Sequence, residues 1–275
     1  MNSRIFKTFQ KLKINKEKGF IPFITAGDPD LNFSLEILKS LPNAGADLIE
    51  IGMPFSDPMA DGETIQASSL RALSKGITVE KILQMISKFR KINYNTPIIL
   101  MGYFNPIYNY GVNKFLSKCQ EIGIDGLIIV DLPYEHDNEV CIPAKSFNID
   151  FIRLIAPTTT TDRIPLLLNQ SSGFVYCISL SGITGSKIAK EHIVQDTIER
   201  IKKVSNLPIA VGFGIKTPEQ ARTISVISDA TVIGSALIKK INETHLKKLN
   251  NEEKLAEIIT EVNFFSNAIH LNNRD

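Results

Sequence analysis

Short apolar runs and amphipathic helical patterns alternate along this chain eight times, and that alternation limits the possible folds more than any other feature. Extended runs are predicted at residues 20–25, 48–52, 97–101, 126–130, 151–155, 174–179, 209–212 and 231–233. They are rich in Ile, Val and Phe with little polar alternation, as expected of parallel strands covered on both faces. Helical spacing is predicted between them, at 33–41, 64–73, 79–92, 112–122, 193–204 and 218–227. A last helix, 250–265, is expected on the outside. Strand followed by helix, repeated, builds βαβ units and a parallel sheet. A doubly wound open sheet shares this alternation. Eight repeats within 275 residues favour closure into an α/β, TIM-type (β/α)8 barrel, a fold that takes about 250 residues as one domain. No low-complexity linker or composition break divides the chain, so residues 1–275 read as a single barrel domain. Residues 1–17 place apolar and basic residues at helical spacing, which predicts an extra N-terminal helix capping the barrel. That stretch has no apolar h-region and does not read as a secretory signal.

Composition removes several function classes. The formal net charge is +2, and the lysines and arginines are spread over surface helices, which does not point to nucleic acid. No apolar run approaches the roughly 18 residues of a membrane span. Cys119, Cys141 and Cys177 are odd in number and lack metal-ligand spacing; burial as small hydrophobes in a reducing compartment is expected. His136, His192, His245 and His270 neighbour no Cys and no other His, which gives neither a metal site nor a histidine triad. The abundance of Ile, Lys and Asn suits an AT-rich genome, in a bacterial cytoplasm or a plastid stroma (chloroplast).

Two carboxylates carry the chemistry. Glu50 is the single charge inside the apolar run 48–52, and Asp61 closes the Pro-marked loop that follows it. An ionised Glu is costly to bury, so Glu50 is expected near a strand end that opens on a site. One carboxylate on a rigid strand and one on a loop suit acid–base work on a substrate held between them. The same pair would equally serve as a strand-end Glu and a helix-capping Asp. Glycine turns follow the seventh and eighth runs: Gly212-Phe213-Gly214-Ile215 and Gly234-Ser235-Ala236. In barrels a phosphate often sits there, where glycines let backbone N–H groups approach an anion and Ser235 opens a helix. Gly185, in the Gly/Ser-rich segment 179–187, would join them from what reads as a mobile lid. The rest of the mouth is apolar or aromatic (Phe23, Met101, Tyr103, Tyr176 and Phe213), which suits a phosphate-bearing ligand with a flat apolar head.

Over nearly its whole length the chain resembles the tryptophan synthase alpha subunit. The matching blocks are Pro22-Phe23-Ile24-Thr25-Ala26-Gly27-Asp28-Pro29, Glu50 through Asp61-Gly62 with Thr64-Ile65-Gln66, Asn105-Pro106, Asp131-Leu132-Pro133, Gly182-Ile183-Thr184-Gly185, Gly212-Phe213-Gly214-Ile215 and Gly234-Ser235. The resemblance implies a lyase that cleaves indole-3-glycerol phosphate to indole and glyceraldehyde 3-phosphate in L-tryptophan biosynthesis. It places the catalytic pair on Glu50 and Asp61 and the lid threonine that orients Asp61 on Thr184. It places the phosphate site on Gly185, Gly214, Gly234 and Ser235, and the indole walls on Phe23 and Phe213. It also implies no cofactor in this chain, a pyridoxal-phosphate-bearing beta-subunit partner and an alpha2-beta2 tetramer. Leu180 departs from the Arg that many bacterial members carry in the lid, and Gly102 before Tyr103 is less usual. A stand-alone indole-releasing lyase would share these residues. A silent, partner-activating barrel would not need Glu50 and Asp61, and the related indole-glycerol phosphate synthase needs a strand-end lysine that none of the predicted strands supplies.

Overall fold

The computed structural model describes residues 3–179 and 187–270. Nine parallel strands lie among them: β1 (Gly19–Thr25), β2 (Ile49–Gly52), β3 (Ile98–Gly102), β4 (Gly126–Ile129), β5 (Asp150–Phe151), β6 (Arg153–Ile155), β7 (Val175–Ile178), β8 (Ile209–Gly212) and β9 (Ala230–Ile233). Their order is β5-β4-β3-β2-β1-β9-β8-β7-β6. The two ends of that order, β5 and β6, are separated in the chain by Ile152 alone. β5 pairs with β4, β6 pairs with β7, and the Ile152 N–H still donates to Leu127 O at 2.9 Å. One extended run therefore passes its hydrogen bonding from one neighbour to the other, and the ring closes with eight staves. The run predicted as a single strand at 151–155 is two because of that handover. Gly126 makes room for it: a Cβ there would stand 2.6 Å from Ile152 Cδ1.

The strands were legible because they are buried on both faces; all seven residues of β1 and every residue of β2, β3, β4, β8 and β9 are buried. Helices α1 (Arg4–Asn15), α2 (Leu31–Ser40), α3 (Glu63–Ser74), α4 (Val79–Arg90), α5 (Phe104–Tyr110), α6 (Val112–Ile122), α7 (Cys141–Ser146), α8 (Arg163–Leu168), α9 (Lys187–Lys202), α10 (Pro218–Ile227), α11 (Ser235–His245) and α12 (Asn251–His270) surround them. The expected extra N-terminal helix is α1. Ser3 caps it by accepting the Phe6 N–H, and Ile5, Phe9 and Leu12 are buried. Phe9 meets Phe174 ring to ring at 5.7 Å, and Leu12 packs against bare Gly19, so α1 crosses the N-terminal end of the barrel. α12 packs outside on α10, α11, α2 and β1. The sequence reading missed α5, α7 and α8. Each has a proline at its third residue (Pro106, Pro143, Pro165), which reads as a breaker but is tolerated in a first turn, where no N–H has an intrahelical acceptor. All three cysteines are free and fully buried.

Candidate active site

Alternation along β2 sends Ile49 and Ile51 to one face and Glu50 to the other, toward the barrel interior. Glu50 is aligned with Phe23 on β1 and Ile99 on β3. It is 1% exposed, and its Oε2 has no hydrogen-bond partner among the described residues. Burial raises its pKa from 4.5 to about 8, and the negative charge of Asp61 adds to the rise. The carboxyl is therefore largely neutral at neutral pH and can give up a proton. Gly52, two residues on, keeps the wall flat: a Cβ there would meet Phe23 Cζ at 2.5 Å.

Glu50 forms part of the floor of a cavity of about 500 Å³ at the C-terminal end of the strands. Phe23, Asp61, Met101, Tyr176, Phe213, Gly214, Gly234 and Ser235 line the same cavity. The structure thus brings together both carboxylates, four expected wall residues and three expected phosphate-site residues. Asp61 reaches it from the loop after β2. The Tyr103 hydroxyl accepts the Ala60 N–H at 3.0 Å and donates to the Asp61 carboxylate. Burial raises the Asp61 pKa while that hydrogen bond lowers it. Burial also pushes the Tyr103 hydroxyl up to about 12, so it stays a donor. Tyr103, expected as a cavity wall, lines a small adjoining cavity together with Phe23, Asp61 and Met101, and its ring meets Phe55 at 5.3 Å. The helix after the loop is tied to β1's end by Ser68–Thr25 (2.6 Å) and a two-pronged Arg71–Asp28 ion pair at 2.8 Å.

On the opposite wall, Tyr176 and Phe213 meet edge to face at 5.7 Å. The Tyr176 hydroxyl occupies the space above Gly212, where a Cβ would come within 2.1 Å. Burial, then the neighbouring Glu50 charge, hold that phenol protonated. Phe213 and Gly214 both have φ near +72°, a conformation disfavoured for a bulky side chain such as Phe213. The Ser179 hydroxyl bonds Gly212 O and Phe213 O, and its N–H donates to Gly212 O at 2.8 Å, which fixes this turn. Gly234 precedes α11 without a side-chain cap. Gly234 and Ser235 line the cavity, so α11 begins at its wall with uncapped amides and the positive end of the dipole there.

Thr184, Gly185 and Leu180 lie outside the described residues. Among the described ones, no three His, Cys, Asp or Glu side chains gather as metal ligands would. The sequence reading did not find Ser179 or Lys216. Ser179 looks like an ordinary strand-end serine, and Lys216, on the cavity rim two residues past Gly214, looks like a surface lysine.

The tryptophan synthase alpha chain family model matches residues 9–270. The tryptophan synthase subunit alpha of Legionella pneumophila str. Paris is 37% identical, with 98% of this chain and 99% of that chain covered and a TM-score of 0.89. A structure from Aquifex aeolicus VF5 is 34% identical over 98% and 99% of the two chains, with a TM-score of 0.86. Tryptophan synthase from M. tuberculosis, in an aminoacrylate-bound form, is 28% identical over 98% and 100%, with a TM-score of 0.85.

Proposed function

The chain belongs to the tryptophan synthase alpha chain family, and from that premise we propose that Glu50 and Asp61 divide between them the work of cleaving indole-3-glycerol phosphate. The overall reaction is a lyase step of L-tryptophan biosynthesis that yields indole and glyceraldehyde 3-phosphate. In the proposed route neutral Glu50 gives its proton to indole C3, and the ring becomes an indoleninium with positive charge near nitrogen. Asp61, ionised, accepts the ring N–H bond and balances that charge. Glu50, now a carboxylate, takes the proton of the glycerol hydroxyl next to the ring. The carbonyl of the aldehyde forms, the carbon–carbon bond breaks, and its electron pair returns to the ring. Glu50 ends protonated, ready for a second turnover.

One observation carries this reading: a carboxyl buried on a strand, its Oε2 unpartnered among the described residues and its pKa raised by burial, sharing a cavity with a second carboxylate held by a tyrosine. Phe23, Tyr176 and Phe213 would enclose the indole ring. The amides of Gly214, Gly234 and Ser235 would hold the phosphate, with Gly185 and Thr184 acting from the segment 179–187. The test is indole release by Glu50→Gln. We expect loss of about 10²–10⁴-fold or more with substrate binding retained, and near-normal turnover by the folded variant would remove the assignment.

The family also implies a beta-subunit partner, and we place its docking surface around the cavity mouth in an alpha2-beta2 assembly. Met59 on the Asp61 loop and Tyr108 on α5, both at the C-terminal end of the strands, are strongly exposed, which supports an apolar partner surface there. In this reading the chain needs no cofactor, pyridoxal phosphate belongs to the partner, and its bacterial relatives favour a bacterial cytoplasm. Partner docking would hold the Asp61 loop closed and raise the competent fraction. Titrating a beta subunit into the isolated chain should increase indole release, whereas high turnover unchanged by the partner would favour a stand-alone lyase.

A further inference from the structure

We infer that Lys216 is a phosphate-binding and specificity-determining residue of this site, supplying the counter-charge that backbone amides alone do not; the inference rests on the phosphate reading above. Among the described residues that line the cavity, Glu50, Asp61 and Glu63 are acidic and Lys216 is the one base. A substrate carrying a phosphate dianion enters a mouth with two ionisable carboxylates, Asp61 and Glu63, so a cation on the phosphate side is needed to reverse the local repulsion. Lys216 stands two residues beyond Gly214 and shares the cavity lining with Gly214, Gly234 and Ser235, the residues assigned to the phosphate.

Its backbone is anchored beside the site. The Lys216 N–H donates to Gln220 Oε1 at 2.8 Å, and Thr217 caps α10 by accepting the Gln220 N–H. Among the described residues no ion pair to Lys216 forms, unlike Lys118, Lys240 or Lys247, which pair with Glu121 or Glu257. A long ammonium with no ion pair among the described residues, on a fixed loop beside uncapped helix amides, is a suitable point charge for a phosphate. Discrimination follows from its position. Lys216 favours ligands by their phosphate and leaves the indole end, walled by Phe23 and Phe213, untouched.

The test measures the affinity of the full chain for two half-ligands, glycerol 3-phosphate and indole, at low and high salt. Lys216→Gln is exposed and should fold normally. We expect its affinity for glycerol 3-phosphate to fall about tenfold at low salt, with much of the salt dependence lost. Indole binding should be unchanged, and Lys216→Arg should restore most of the phosphate affinity. Equal glycerol 3-phosphate affinity in wild type and Lys216→Gln, with binding lost in Gly234→Asp, overturns the role of Lys216 alone. Unchanged binding in both variants overturns the phosphate site together with it. Gly234→Asp is a fair control, because a Cβ there meets nothing closer than 3.5 Å.

Discussion

At the N-terminal end of the barrel Asp47, Asp125 and Asp229 each accept a backbone N–H from the start of the preceding strand, at Phe20, Ile98 and Ile209, all at 2.8 Å. At the C-terminal end Glu50 is as deeply buried as Asp125, yet its Oε2 accepts nothing among the described residues. Asp125 also takes Arg4 and Arg90 at 2.7 Å each. Burial raises the pKa of both groups, but the two arginines and the Ile98 amide pull Asp125 back, while Asp61 pushes Glu50 further up. One kind of side chain thus has two uses. Partnered, it stitches strands together. Unpartnered, it holds a proton that it can release. The difference matches the division of labour between the stabilising and the catalytic faces of such barrels.

Four measurements break or sharpen this contrast. The largest effect is expected at the top: Glu50→Gln should lose about 10²–10⁴-fold or more in indole release while melting no earlier than wild type. A stability loss comparable to that of a core mutation would erase the contrast. At the bottom the signs reverse. Asp125→Asn leaves Arg90 buried without its anion and should cost about 3–5 kcal/mol in urea unfolding, with turnover of the folded enzyme nearly unchanged. A variant of normal stability would show that the ion pair contributes little.

The third measurement uses pH. Glu50's folded pKa, about 8, lies above its ordinary 4.5, so its contribution to stability is complete below about 4.5 and is lost as pH rises toward 8. Within that window wild type should weaken relative to Glu50→Gln by about 1.4 kcal/mol per pH unit. Parallel melting temperatures of the two proteins from pH 5 to 9 would contradict the neutral carboxyl. The smallest effect is expected from Ser179→Ala, which removes the hydroxyl that fixes the Phe213 turn. We predict a loss of about 1 kcal/mol in substrate affinity, seen as a raised KM with little change in kcat; Ser179→Thr should recover it. An unaltered KM would mean that the turn holds itself.

The unequal legibility of these features has a physical cause. Strands β1 to β4 and β7 to β9 could be read because burial on both faces leaves an apolar run in the chain itself. Glu50 could be read because one charge interrupts such a run, and Gly214 and Gly234 because turns after strands need glycine. The bonds of Asp47 and Asp125 could not, since each spans 27 residues and depends on which strands become neighbours. The hold of Tyr103 on the Asp61 loop was hidden for the same reason: aromatic character suggests a wall, but its hydroxyl also meets Ala60 from 43 residues away. Lys216 carries no local signal that separates it from the lysines of the surface helices.

Ring closure also sets an order of events during synthesis. β1 is made early, but its second neighbour is β9, joined through Gly19–Ala230 to Pro22–Ile233. Until some 200 further residues have left the ribosome, one side of β1 presents unpaired amides and carbonyls, and so does each newest strand. Such open edges are templates for pairing with another nascent chain. Arrival of residues 230–233 removes both at once. A ribosome stalled before that point should hold a chain that chaperones recognise, whereas one stalled just beyond it should hold a barrel that they release.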